Sequence, residues 1–158
     1  SEMWYPRFRF AEALLIAAEA AYELGGVNKV KAVEYINRVR ARGGIKDLTE
    51  STITFEHIVN EYRVEFAFED HRWWDLKRWR LAHTVWNGVI DSPTAQMYSL
   101  FPYKVYAPGS PYDGKWAFEK SRSYMAPNAR NFTMRCYYGS IDDGWINKNP
   151  KLVKNPLQ

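Results

Sequence analysis

The sequence predicts a mainly α fold: tetratricopeptide-like helical hairpins followed by a loop-rich region with a few short strands. Three observations predict it. Apolar residues recur at the helical period through the first half of the chain. Two of those runs stop at double glycines, Gly25-Gly26 and Gly43-Gly44. Beyond Asn87, seven of the eight prolines lie among glycines and scattered aromatics, spaced too closely for long helices.

The first helix is expected from about Phe8 to Leu24, with Pro6 just before it. Leu14, Leu15, Ala18 and Ala21, joined by Ala11 and Tyr22, form one face. Its alanines leave little side chain, so a neighbour can approach closely. The second helix is expected from Asn28, as N-cap, to Arg42, burying Ala32, Val33, Ile36 and Val39. The short link between them makes the pair antiparallel, the size of a tetratricopeptide unit. A third helix is expected from Thr54, as cap, to about Glu69, on the stripe Phe55, Ile58, Val59, Tyr62 and Phe66. Asp70 tolerates the left-handed conformation of a helix end, so a fourth helix follows from His71 to about Ala82. Residues 1–82 therefore make a helical section and 83–158 a loop-rich one.

Glu61, Glu65 and Glu69 recur every four residues and share a helix face. Glu65 and Glu69 fall at the margin of the apolar stripe, where a carboxylate needs a cationic partner. Arg63, Arg72 and Arg78, with Arg38, Arg40 and Arg42 upstream, are the expected supply, and Glu65→Ala is expected to be strongly destabilising. His57 and His71 near these acids raise the possibility of a metal or acid–base centre. Neither histidine lies three residues after a glutamate and no second helix repeats the pattern, as a carboxylate-bridged site would require. Helical spacing makes core packing the expected role of Trp73, Trp74 and Trp79.

Asp91-Ser92-Pro93, Pro108-Gly109, Asp113-Gly114 and Asp142-Asp143-Gly144 are turn chemistry. Between them Leu100 to Tyr106 and Asn131 to Tyr138 read as extended runs that pair with each other. The tail from Asn147, with its repeated Asn-Pro, reads as extended along the surface. Cys136 reads as a small buried apolar residue. Aromatics make up 16% of the chain, more than a core needs, and flat side chains suit sugars and other flat ligands. Trp86, Tyr106, Tyr112 and Trp116 sit in or beside the turn-rich loops and are the candidate ligand-binding residues; the competing expectation is that each packs over the helices. A net charge of +4, with cations interleaved among acids, does not imply nucleic-acid binding. No apolar run reaches the length of a membrane span, and no cofactor or metal motif is present.

Four blocks in order carry a family resemblance: RFAEALLIAAEA (Arg9 to Ala20), INRVRAR (Ile36 to Arg42), EYRVEFAFEDHRWWDLKRW (Glu61 to Trp79) and NPKLVKNP (Asn149 to Pro156). The chain resembles the C-terminal half of the SusD/RagB family. It departs from the family pattern at Tyr62, Asp70, Asp142 and Lys154. The resemblance implies a non-enzymatic nutrient-binding lipoprotein, held at the cell surface by a lipid on a preceding N-terminal part of the outer-membrane protein. It implies a lid over a SusC-like TonB-dependent transporter, with an oligosaccharide or peptide as ligand. A scaffold subunit with no glycan-binding role is the alternative.

Overall fold

The computed structural model describes residues 8–157; Pro6, expected before the first helix, lies outside the described residues. The chain divides into two compact bodies, one up to Asp75 and one from Leu76.

In the first body, α1 (Phe10–Leu24) starts two residues later than the periodicity predicts, because Arg9 stays extended at φ −128° and ψ 151° while its guanidinium reaches Glu65 and Glu69. Leu14, Leu15, Ala18 and Ala21 are buried, as expected. A 3-10 turn over Gly26–Asn28 leads into α2 (Lys29–Arg42), which buries Ala32, Ile36 and Val39. Asn28 is not the cap that the sequence suggests. Its backbone is already helical (φ −76°, ψ −14°) with no side-chain cap bond, because the 3-10 turn feeds the helix directly. The four-residue link, Gly25 to Asn28, folds α2 back on α1.

The segment after α2 is pinned by the Asn37 side chain, whose amide donates to the Leu48 carbonyl and accepts from the Leu48 N–H, both at 2.9 Å. Thr54 then caps α3 (Phe55–Glu65). Its hydroxyl accepts from the His57 N–H, and the His57 ring accepts from the Thr54 N–H, a capping box with imidazole in the place usually taken by Glu or Gln. The helix ends four residues before the expected Glu69. Phe66 turns inward to 3% exposure and stacks on His71 at 4.4 Å, and Phe68 and Asp70 take positive φ. Asp70 thus adopts the left-handed conformation its residue type permits.

The fourth helix, α4 (His71–Arg78), is also shorter than predicted. Arg80 takes φ 60° while the Leu81 N–H reaches back to the Leu76 carbonyl at 2.9 Å, the Schellman pattern that closes a helix. A separate turn, α5 (Ala82–Val85), follows. Trp73 and Trp74 are exposed at 44% and 67%, against the expected core role, because Asp75 and Leu76 occupy the buried side of this short helix.

In the second body the core gathers Leu76, Ala82, Trp86, Phe132 and Tyr137. The run from Asn131 to Tyr138 is not a strand. Asn131 makes one isolated bridge to Asn87 and a 3-10 turn covers Met134–Tyr137. Five residues separate Phe132 from Tyr137, which would put them on opposite faces of a strand; the turn delivers both rings to one core, 4.8 Å apart. Cys136, on that turn, is exposed rather than buried.

Strand β1 (Tyr98–Lys104) pairs instead with β2 (Trp116–Arg122), antiparallel, from Tyr98 opposite Arg122 to Lys104 opposite Trp116. The Asp142-Asp143-Gly144 turn starts a short helix, α6 (Asp143–Lys148), with the Asp142 carboxylate accepting from the Gly144 N–H. Asn147 and Lys148 still belong to this helix, against the extended tail expected from Asn147; beyond it, residues 152–155 lack regular structure between turns at 150–151 and 156–157.

Candidate functional site

Glu61, Glu65 and Glu69 are committed to structure. Glu61 meets Arg40 at 2.8 Å. Arg9 spans Glu65 at 2.8 Å and Glu69 at 2.9 Å, Arg42 also meets Glu65, and the Arg9 guanidinium lies 5.0 Å from the centre of the Phe66 ring. His57 is taken up by the cap and His71 by its stack on Phe66. Among the described residues no three His, Cys, Asp or Glu side chains are grouped to hold a metal ion, and no helix is long and apolar enough to cross a membrane.

The exposed chemistry lies in the second body, on the hairpin and its loop. After β1 the chain makes successive turns. Ser110 N–H bonds to the Ala107 carbonyl at 2.9 Å, across Pro108 and a Gly109 at φ 83°, the type II geometry that proline followed by glycine favours. Asp113 N–H then bonds to the Ser110 carbonyl across Pro111, and Lys115 N–H to the Tyr112 carbonyl across Gly114 at φ 71°. The Asp113 carboxylate accepts from the Ala107 N–H at 2.8 Å and ties the loop shut. Two prolines, two glycines and one carboxylate therefore fix a loop that could otherwise wander.

That loop and the strand leaving it hold three of the four residues singled out by sequence. Tyr106, Tyr112 and Trp116 are 89%, 66% and 64% exposed. The Lys115 ammonium lies 5.5 Å from the centre of the Tyr112 ring, within cation–π reach. Trp86 stands apart. It ends α5, is 7% exposed, packs 6.1 Å from Phe132, and its carbonyl accepts from the Phe132 N–H at 2.7 Å; its place is the core of the second body.

Alternation along β2 adds Phe118, 63% exposed, on the face that carries Trp116. Sequence reasoning missed it because Trp116 to Arg122 was not read as a strand; the alternation of Trp116, Phe118 and Lys120 was the available signal. At the open end, Arg122 donates to Asp91 at 3.0 and 3.2 Å, and the Tyr98 hydroxyl donates to the same carboxylate at 2.6 Å. These bonds, the Arg122 one foremost, hold the Asp91 carboxyl below its ordinary value, and Asp91 in turn raises that of Tyr98. The hairpin is thus closed at both ends and aromatic in between.

Comparison with known proteins places this arrangement. The model of the SusD family matches residues 1–157. SusD-like protein P2 of Formosa agariphila is 37% identical over 101 residues, 56% of this chain and 20% of that protein. Among solved structures, a SusD-like protein of Bacteroides fragilis aligns with a TM-score of 0.68 at 26% identity, over 99% of this chain and 28% of that one. Surface glycan-binding protein A of Bacteroides uniformis aligns with a TM-score of 0.54 at 26% identity, over 96% of this chain and 27% of that one. The chain thus spans between a fifth and a third of the length of these proteins.

Proposed function

Since the chain belongs to the SusD family, we propose that it serves as the C-terminal portion of a surface nutrient-binding protein that captures a glycan without chemically altering it. Tyr106, Tyr112 and Trp116 are its stacking residues, and Trp86 packs in the core of the same body. The observation that carries this reading is the closed loop. Three aromatic rings are held open to solvent by turns that leave the backbone little freedom, so sugar binding costs little loop ordering. The similarity to surface glycan-binding protein A of Bacteroides uniformis supports the same ligand class. As in the family resemblance, the whole protein is a lipid-anchored outer-membrane lid that delivers its ligand to a SusC-like TonB-dependent transporter. Catalysis has no part in this reading, and the glutamates act as partners for arginine.

Trp116→Ala tests it. The expected result is a loss of polysaccharide affinity of roughly tenfold, the upper end of what an aromatic pair contributes beyond its buried area, with an unchanged melting temperature, since the ring is 64% exposed. Unchanged affinity would remove Trp116 from the site. A second reading, docking onto a protein partner, is favoured by the other face of the hairpin, where Phe101 and Tyr103 are 54% and 52% exposed. Phe101→Ala would then weaken capture by the transporter while leaving glycan affinity alone.

A further inference from the structure

The hairpin face that bears Trp116 also carries two lysines, Lys104 and Lys120. Its register sets Lys104 opposite Trp116, Pro102 opposite Phe118, and Leu100 opposite Lys120, and because strand side chains alternate, these six share one face. The Lys120 ammonium lies 4.0 Å from the centre of the ring of Tyr98, a residue of the same face, which supports that placement. The nearby acids are on the other face or already engaged. Glu119 stands opposite Phe101 on the reverse side, Asp113 accepts from the Ala107 N–H, and Asp91 holds Arg122 and Tyr98. Neither Lys104 nor Lys120 makes an ion pair among the described residues. Two lysines therefore flank two exposed rings, Lys120 within the field of Asp91 but in no ion pair among the described residues, with Trp116 and Lys120 about 14 Å apart along the strand at ~3.4 Å per residue.

Resting on the glycan-binding reading above, we infer that the ligand of this face is an acidic glycan, one that repeats carboxylate or sulfate groups along its length. The sugar rings lie on Trp116 and Phe118, and their anionic groups meet Lys104 and Lys120. A neutral glycan would use the rings and leave both ammonium groups without an ion-pair partner, whereas a polyanion uses both. Lysine presents a point charge on a flexible stem rather than the planar fork of arginine, so the face accepts carboxylate and sulfate alike.

The test compares matched probes on the full chain by titration calorimetry at low salt: polygalacturonate against its fully methyl-esterified form, and dextran sulfate against dextran. The inference expects at least one anionic probe to bind roughly tenfold or more tightly than its neutral partner, with the preference shrinking as salt screens the charges. The double variant Lys104→Gln, Lys120→Gln is expected to lose most of that preference, roughly threefold per lysine. The Lys104→Arg, Lys120→Arg variant retains it, and Trp116→Ala weakens both forms together. Equal affinity for charged and neutral partners would overturn the acidic preference and leave glycan binding standing. Anionic binding insensitive to Trp116→Ala would be bulk charge attraction and would overturn the shared face. Failure of all four probes to bind would overturn the inference as well, and binding of other neutral glycans would then decide whether the wider reading survives.

Discussion

The Glu61 side chain is 5% exposed, the Arg40 side chain 13%, and the two meet at 2.8 Å. Removing the cation strands a desolvated carboxylate, so Arg40→Ala is expected to cost about 3 kcal/mol in urea unfolding. Glu65 differs because its charge is shared. Arg9 keeps Glu69 when Glu65 is lost, and Arg42 is 65% exposed and can turn to water. Glu65→Ala should therefore cost about 2 kcal/mol, less than a fully buried isolated pair would. Equal losses for the two variants would contradict this division. The acids were legible in the sequence, since a four-residue spacing beside an apolar stripe leaves them half inside. Their partners were only partly legible. Arg40 and Arg42 fit the expectation, but Arg9 lies 56 residues from Glu65, and Arg38 lies over Phe10 and Arg78 over Trp79. Periodicity shows which face a charge occupies but not which distant cation reaches it.

At the scale of the element, the hairpin depends on its two fastenings. Asp91 fixes the open end, and its depressed carboxyl value sets the sign of the pH effect. Its stabilising contribution is full above the ordinary carboxylate range and is lost as pH falls through the lowered folded-state value. Hydrogen exchange reads this at the Ser123 amide, bonded to the Met97 carbonyl at 3.0 Å just beyond the strands. Asp91→Asn should speed that exchange at neutral pH, and the difference from the parent should vanish once Asp91 is protonated; an equal rate in both at neutral pH would show that the fastening is idle. In the first body, Thr54→Ala is expected to cost about 1 kcal/mol by removing the cap of α3. The turns between the strands were readable from Pro-Gly and Asp-Gly pairs. The pairing was not, because Asn131 to Tyr138 has the aromatic content of a strand while its buried rings sit at turn spacing, and the solvent-facing partner strand carries no buried stripe to announce it.

At the scale of the whole molecule, each body has its own task. The first presents a tetratricopeptide-like hairpin locked by ion pairs, and its helices were legible in number and order, with ends displaced by up to four residues, because burial recurring at the helical period is a strong signal. The second builds a small aromatic core and carries the exposed hairpin, and there sequence reading named the displayed residues without the fold that displays them. Tyr106, Tyr112 and Trp116 are open to solvent while Trp86, with the same chemistry, is enclosed, a difference decided by contacts with Phe132 far along the chain. That contrast supplies the most direct measurement. In a nitrogen–proton correlation spectrum, titration with the acidic polysaccharide polygalacturonate should move the Trp116 indole N–H resonance saturably and leave that of Trp86 in place. A polysaccharide that binds while the Trp116 resonance stays fixed would contradict the account.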